Sequence, residues 1–264
     1  MSQVIFAANG DNLVLGRGAL MLDRYVNNAP SGSLRFVGNV TELRLSTTDE
    51  VREKFSAVEE SAPLLKRVVS RRTIEVVGVF DEFEMENLAL AMMGNVAEAT
   101  QSAVAVTDMA IANVQHGRYY DLGSRNIAAL VVTTDPAGTT YTLGTDYTAD
   151  LIRGLLYIVP GGTIPDGTGD LLVDFTRATV TTIQTIDGGN ESLIEAFLHF
   201  ESDNASGPNY RLRAWRVSIN PDGELGFIGD DFGNFSLRMA VQSDGVNHPT
   251  TPNYVLERYD PLAV

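Results

Sequence analysis

Three histidines, His116, His199 and His248, are the chain's only imidazoles. They are far apart in sequence, and none has a partner at metal-ligand spacing. The acidic, glycine-bearing stretches Asp166–Asp170, Asp187–Glu191 and Asp230-Asp231 carry the ligand type that calcium prefers. None follows the D-x-[DN]-x-[DN]-G loop, so they read as β-turns. No G-x-S-x-G elbow and no G-x-x-x-x-G-K-[ST] phosphate loop occurs. Gly16-Arg17-Gly18 fails the dinucleotide fingerprint, because Met21 stands where a third small residue is needed and no βαβ pattern follows. A glycosidase-type carboxylate pair has no positive signal. The chain is therefore not expected to be an enzyme, and no cofactor or metal is expected.

The remaining chemistry is that of association. Asp49-Glu50-Val51-Arg52-Glu53-Lys54-Phe55, then Glu59-Glu60, then Lys66-Arg67 form a stretch of mixed charge. Two readings are open: an arm that meets a partner through paired charges, or a solvated surface loop. The stretch lies within Gly38–Gly94, around which the chain is organised. That segment predicts a strand over Asn39–Ser46, a charged loop over Thr47–Ser70, a strand over Arg71–Phe83 and a helix over Glu84–Met93. Unstructured connections longer than about 12–15 residues inside a compact domain are usually functional or disordered.

The strands rest on period-two patterning. Leu43 and Leu45 face one way, and Glu42, Arg44 and Ser46 the other. Ile74, Val76 and Phe80 share one face of the next strand, with Glu75, Val77 and Val79 opposite. Acidic residues before Leu88-Ala89-Leu90-Ala91-Met92-Met93 suit a helix N-terminus, and Gly94 reads as its stop. Met85, Leu88 and Met92 are expected to form its packed stripe.

Elsewhere, strands are expected over Val4–Ala8, Ala19–Tyr25, Leu193–Glu201, Arg211–Ile219, Leu225–Ile228 and Phe235–Val241. In Arg211–Ile219, Trp215, Val217 and Ile219 are placed on one face. Ala97–Ser102 reads as a linker. Short strands between turns fill Ala103–Arg177, including Arg118–Leu122, Thr140–Leu143 and Leu171–Arg177, which suggests a small inserted β-sandwich module. The expected fold is all-β with one packed helix: a discontinuous domain over residues 1–102 and 179–264, and an Ig-like module over 103–178.

Bulk properties fit this picture. Apolar residues make up 44% and charged residues 20% of 264, ordinary for a globular protein. No run is apolar and long enough to span a bilayer, and no charged leader precedes an apolar segment. Cysteine is absent, which excludes disulfides and thiolate metal sites and fits a reducing compartment. A net charge of −15 argues against nucleic acid phosphate as a general partner.

Several fragments, in order, carry a family resemblance. Gly16-Arg17-Gly18-Ala19-Leu20-Met21 and Arg35-Phe36-Val37-Gly38-Asn39-Val40-Thr41-Glu42-Leu43 resemble the start of the major tail tube proteins of long-tailed bacteriophages. Asn87–Gly94 looks like that family's helix. Phe200–Gly207, Val217–Leu225 and Asp230-Asp231 are similar to its C-terminal half. Residues 103–178 are a module that the smallest members lack.

The resemblance implies a structural virion protein of the tail, assembled in the host bacterial cytoplasm. Its subunits would form hexameric rings that stack into a tube, and an acidic lumen would conduct DNA without binding it. Tail tip, tape measure and terminator proteins would be its other partners. Glu42, Ser46 and Glu75 become lumen candidates, with Arg44 as an inter-subunit ion pair. Asp49, Glu50, Arg52, Glu53, Phe55, Glu59, Glu60, Lys66 and Arg67 become ring-stacking candidates. The alternative is a tail-tip or surface carbohydrate-binding β-sandwich.

Overall fold

A computed structural model describes residues 10–259; the strand expected over Val4–Ala8 lies outside them. In chain order the elements are a 3-10 turn (Gly10–Asn12), β1 (Gly18–Val26), β2 (Ala29–Pro30), β3 (Arg35–Phe36), β4 (Val40–Phe55), β5 (Leu64–Phe80) and helix α1 (Met85–Ala91). There follow β6 (Val96–Gln101), β7 (Val104–Val114), β8 (Tyr119–Asp121), β9 (Ile127–Thr134), β10 (Tyr147–Asp150), β11 (Leu155–Ile158), β12 (Gly169–Arg177) and β13 (Val180–Ile186). The chain closes with β14 (Ile194–Ser202), β15 (Asn209–Pro221), β16 (Phe235–Gln242) and β17 (Tyr254–Tyr259). The fold is all-β with one short helix. It divides into two units: residues up to Val96 together with those from Ile186 on, and Ala97–Thr185.

The first unit is built on one antiparallel sheet of order β2-β1-β14-β15-β16-β5-β4, with β17 on β15 and β3 on β1. Alternation decides which face is buried. Leu20 and Leu22 from β1, Ile194, Ala196 and Leu198 from β14, and Leu237 and Met239 from β16 are all inside. Val76 and Phe80 join them from β5, with Phe80 stacked on Phe235 at 5.3 Å.

In β15 the pattern breaks once. Val217 lies opposite Ala196 and Ala214 opposite Leu198, so two residues of β15 oppose one of β14. This bulge turns Trp215 away from the core that holds Val217 and Ile219. The single face expected for Trp215, Val217 and Ile219 is thereby corrected.

Helix α1 packs on β15 and β16, but not through the expected Met85–Leu88–Met92 stripe. Asn87, Ala89 and Leu90 are buried, while Met92 is exposed. The segment Leu88–Met93 is apolar all round, so it has no intrinsic facing. Asn87 sets the rotation: its amide donates to Val37 O at 2.7 Å and its oxygen accepts from Arg35 Nη2 at 2.8 Å. At the helix end Met93, not a glycine, takes the left-handed conformation (φ 50°). Gly94 is needed for proximity instead, since a Cβ there would stand 2.5 Å from Asp187 O.

Two further expectations change. Leu225–Ile228 forms no strand, and the linker over Ala97–Ser102 is strand β6, paired with β13. The Thr140–Leu143 strand is reduced to isolated bridges, Thr133 with Thr140 and Leu143 with Tyr147.

The second unit has two three-stranded sheets, β7-β12-β9 and β10-β11-β8. They share a core that includes Val114, Val132, Leu156, Ile158, Leu171 and Val173. Asp146 is buried there and accepts from Thr142 N, Thr163 N and Thr163 Oγ1 at 2.7–2.9 Å. Those donors hold its carboxyl below the usual range.

Candidate assembly surface

The hairpin of β4 and β5 dominates the first unit's surface. The expected loop over Thr47–Ser70 is a correction: both strands continue through it, and only residues 56–63 turn. The register runs from Val40 opposite Phe80 at the base to Phe55 opposite Leu64 at the tip. Along the extension, three pairs of opposite charges fall across from each other. Asp49 faces Arg72, Glu50 faces Arg71 and Glu53 faces Arg67. Cross-strand ion pairs favour a two-stranded ladder. The sequence reading missed this because opposing charges 14 to 23 positions apart look like a mixed run when read linearly.

Asp49 is the best defined pair. Arg72 Nε and Nη2 donate to its two oxygens at 2.7 and 2.9 Å. Those bonds hold the Asp49 carboxyl below the usual carboxylate range. Glu53 stands 3.6 Å from Arg67 and Glu50 3.8 Å from Arg71. In the turn, Ser56 N donates to Pro63 O at 2.8 Å and Ala62 N to Glu59 O at 3.0 Å. Glu59 and Glu60 sit exposed there, beside Val58 at 95% exposure.

Only the base of the hairpin belongs to the wider sheet. β16 pairs with β5 from Phe80 to Glu75 and no further. Among the described residues, β4 and β5 beyond Ile74 pair only with each other, a ribbon about 30 Å long at roughly 3.3 Å per residue. The ribbon keeps Phe55, Leu64, Leu65, Val68 and Val69 exposed. An isolated two-stranded ribbon is marginal in water, so this arm has the composition of a surface awaiting cover. The outer edge of β4 is also unpaired among the described residues, and an open edge is a template for another chain.

The four lumen candidates come together. Glu42 lies opposite Val79, Arg44 opposite Val77 and Ser46 opposite Glu75, which puts all four on the face away from the core. Arg44 is ion-paired with Glu42 of its own strand. Glu75 stands 3.7 Å from Arg238 Nη1, whose Nη2 donates to Asp222 at 2.6 Å. Farther across this face, Glu201 accepts from Arg211, from His199 Nε2 at 2.8 Å and from Tyr259 Oη at 3.0 Å. Burial raises the Glu201 pKa, but these donors outweigh it and the net shift is downward.

Two further features had no functional role in the sequence. The His248 ring stacks on Trp215 at 3.7 Å and 2°, with Nδ1 3.1 Å from Asp244. The loop Gly226–Asn234 exposes Phe227, Ile228 and Phe232. Among the described residues, no three His, Cys, Asp or Glu side chains converge to hold a metal ion. Nor, among the described residues, is any helix long and apolar enough to cross a membrane.

The profile of the family described as "Protein of unknown function UCP028589" matches residues 13–254. A stretch of 60 residues is 40% identical to a tail sheath protein of Burkholderia phage BcepMu. It covers 23% of this chain and 13% of the sheath protein.

Proposed function

We propose that this chain, which belongs to the family described as "Protein of unknown function UCP028589", is a structural protein of a phage tail. The short likeness to a tail sheath protein supports the tail role at that coarse level. More finely, we read it as a tube subunit that forms rings, hexameric as the family resemblance implies, stacked around a bore that passes DNA. The observation that carries this reading is the arm: a hairpin whose distal half, among the described residues, pairs with nothing else in its own unit and carries exposed apolar side chains.

Ring formation would cover the free edge of β4, since closing a sheet into a barrel removes its edges. Stacking would cover the arm, and a head-to-tail contact that does not close yields a filament. The face bearing Glu42, Arg44, Ser46 and Glu75 would line the bore. Carboxylates there repel phosphate, so DNA slides without adhering. Arg44, satisfied by Glu42 within the chain, would temper the bore's charge rather than bridge subunits. The reading assigns no catalysis and no cofactor.

Deleting Glu50–Val68 tests the stacking role. The core of the first unit lies outside that segment, so the variant is expected to fold and to form no tubes by negative-stain microscopy. Tubes of normal length from this variant would remove the arm from the interface.

A further inference from the structure

The arm carries an unresolved repulsion at its tip. Lys54 lies directly opposite Lys66, and these are the chain's two lysines. Arg52 shares their face, two residues along β4. Among the described residues, none of these three side chains has an ion pair or a side-chain hydrogen bond, whereas Glu53 and Arg67 pair on the other face. Like charges directly opposed across strands are unfavourable. Phe55 and Leu65, beside them, are 49% and 63% exposed.

The opposite end of the same unit carries the complement. β16 begins at Phe235, which is paired with Phe80 at the hairpin base. The preceding loop Gly226–Asn234 therefore lies at the end away from the tip. Its Ile228 and Phe232 are 100% and 99% exposed, and between them stand Asp230 and Asp231. Neither carboxylate has a partner among the described residues. Single exposed apolar residues need no account, but a cluster at a loop tip marks an interaction surface. The loop's root is fixed: Phe83 packs edge-on against Phe235 at 5.5 Å.

We propose that the arm tip of one copy docks on the Gly226–Asn234 loop of the next. Lys54 and Lys66 meet Asp230 and Asp231, while Phe55 and Leu65 cover Ile228 and Phe232. The partner is thus a second copy, chosen by complementary charge and by matched apolar groups at opposite ends of one unit. The inference rests on the arm being the contact between rings, and it names the surface that receives it. The repulsion between the lysines becomes a specificity device, relieved only when the acidic loop is present.

Charge reversal in the full-length protein tests this. Each double variant, K54E with K66E or D230K with D231K, is expected to lower tube yield by about ten-fold or more. The quadruple variant restores the complement in reversed sense and is expected to recover most of the yield. If the lysine pair blocks growth and the quadruple variant does not recover, the loop is not the receptor, although the arm remains the contact. If the lysine pair has no effect, the docking is wrong, and the Glu50–Val68 deletion alone then decides the arm's role. The chain has no cysteine, which permits an independent check. L65C with F232C in one chain should give a ladder of disulfide-linked multimers on oxidation, absent from either single variant. No ladder from assembled tubes would overturn the docking.

Discussion

Asp49 and Arg72 bind face to face across the arm, with both carboxylate oxygens accepting from one guanidinium. The pair stands where β4 and β5 have left the sheet behind, so it steadies the ribbon rather than the core. Its consequence for pH follows from the depressed Asp49 pKa. A lowered folded-state pKa contributes order that is present above the unfolded value, about 3.9, and is lost as pH falls through the folded one. The arm amides near Asp49 and Arg72 should therefore lose hydrogen-exchange protection below about pH 4, while the β14–β15 core keeps its own. R72A should show the same loss of arm protection at neutral pH. Unchanged arm protection in both cases would mean the ladder does not need the pair.

Trp215 is the chain's single tryptophan, and the stacked His248 ring makes it a reporter of one loop. Trp215 Nε1 also donates to Thr251 O at 2.6 Å, so the loop is held at two points. Replacing His248 by Ala should raise Trp215 accessibility to acrylamide and speed amide exchange in residues 244–253. The stability cost should be about 1 kcal/mol, the scale of a ring stack. An unchanged fluorescence spectrum would show that the stacking is not maintained in solution.

Gly94 offers a test of the helix exit. A methyl group 2.5 Å from Asp187 O cannot be accommodated without moving backbone. Gly94→Ala should destabilise the first unit by roughly 1–3 kcal/mol in urea unfolding. A neutral result would show that the Gly94–Asp187 approach can relax.

The second unit has its own core, and its entry and exit strands β6 and β13 pair with each other. Replacing residues 103–178 by a short turn should leave that pairing and tube growth intact. Loss of growth in a variant with a normal far-ultraviolet spectrum would make the insert part of the tube wall.

What the residues disclosed and what they hid have physical causes. Local alternation of period two reveals β14, β16 and the inner faces of β4 and β5, because burial on one side leaves its mark within a few residues. The arm was hidden because its strands bury neither face, so apolar alternation is lost and only the register reveals Asp49 opposite Arg72. Trp215 was misplaced because a bulge shifts the pattern by one residue, which alternation alone cannot detect. The facing of α1 depends on Asn87 and Arg35, polar contacts 52 positions apart with no sequence period. Glu42, Arg44, Ser46 and Glu75 share a face as their spacing implies.

We propose that copies of this chain close into stacked rings around an acidic bore. Electron cryomicroscopy of the purified full-length protein, concentrated until it assembles, tests it most directly. The expected result is hollow tubes in which Glu42, Ser46 and Glu75 line the channel and each β4–β5 arm reaches the adjacent ring. Tubes with those side chains on the outer wall, or a protein that stays monomeric at high concentration, would contradict it.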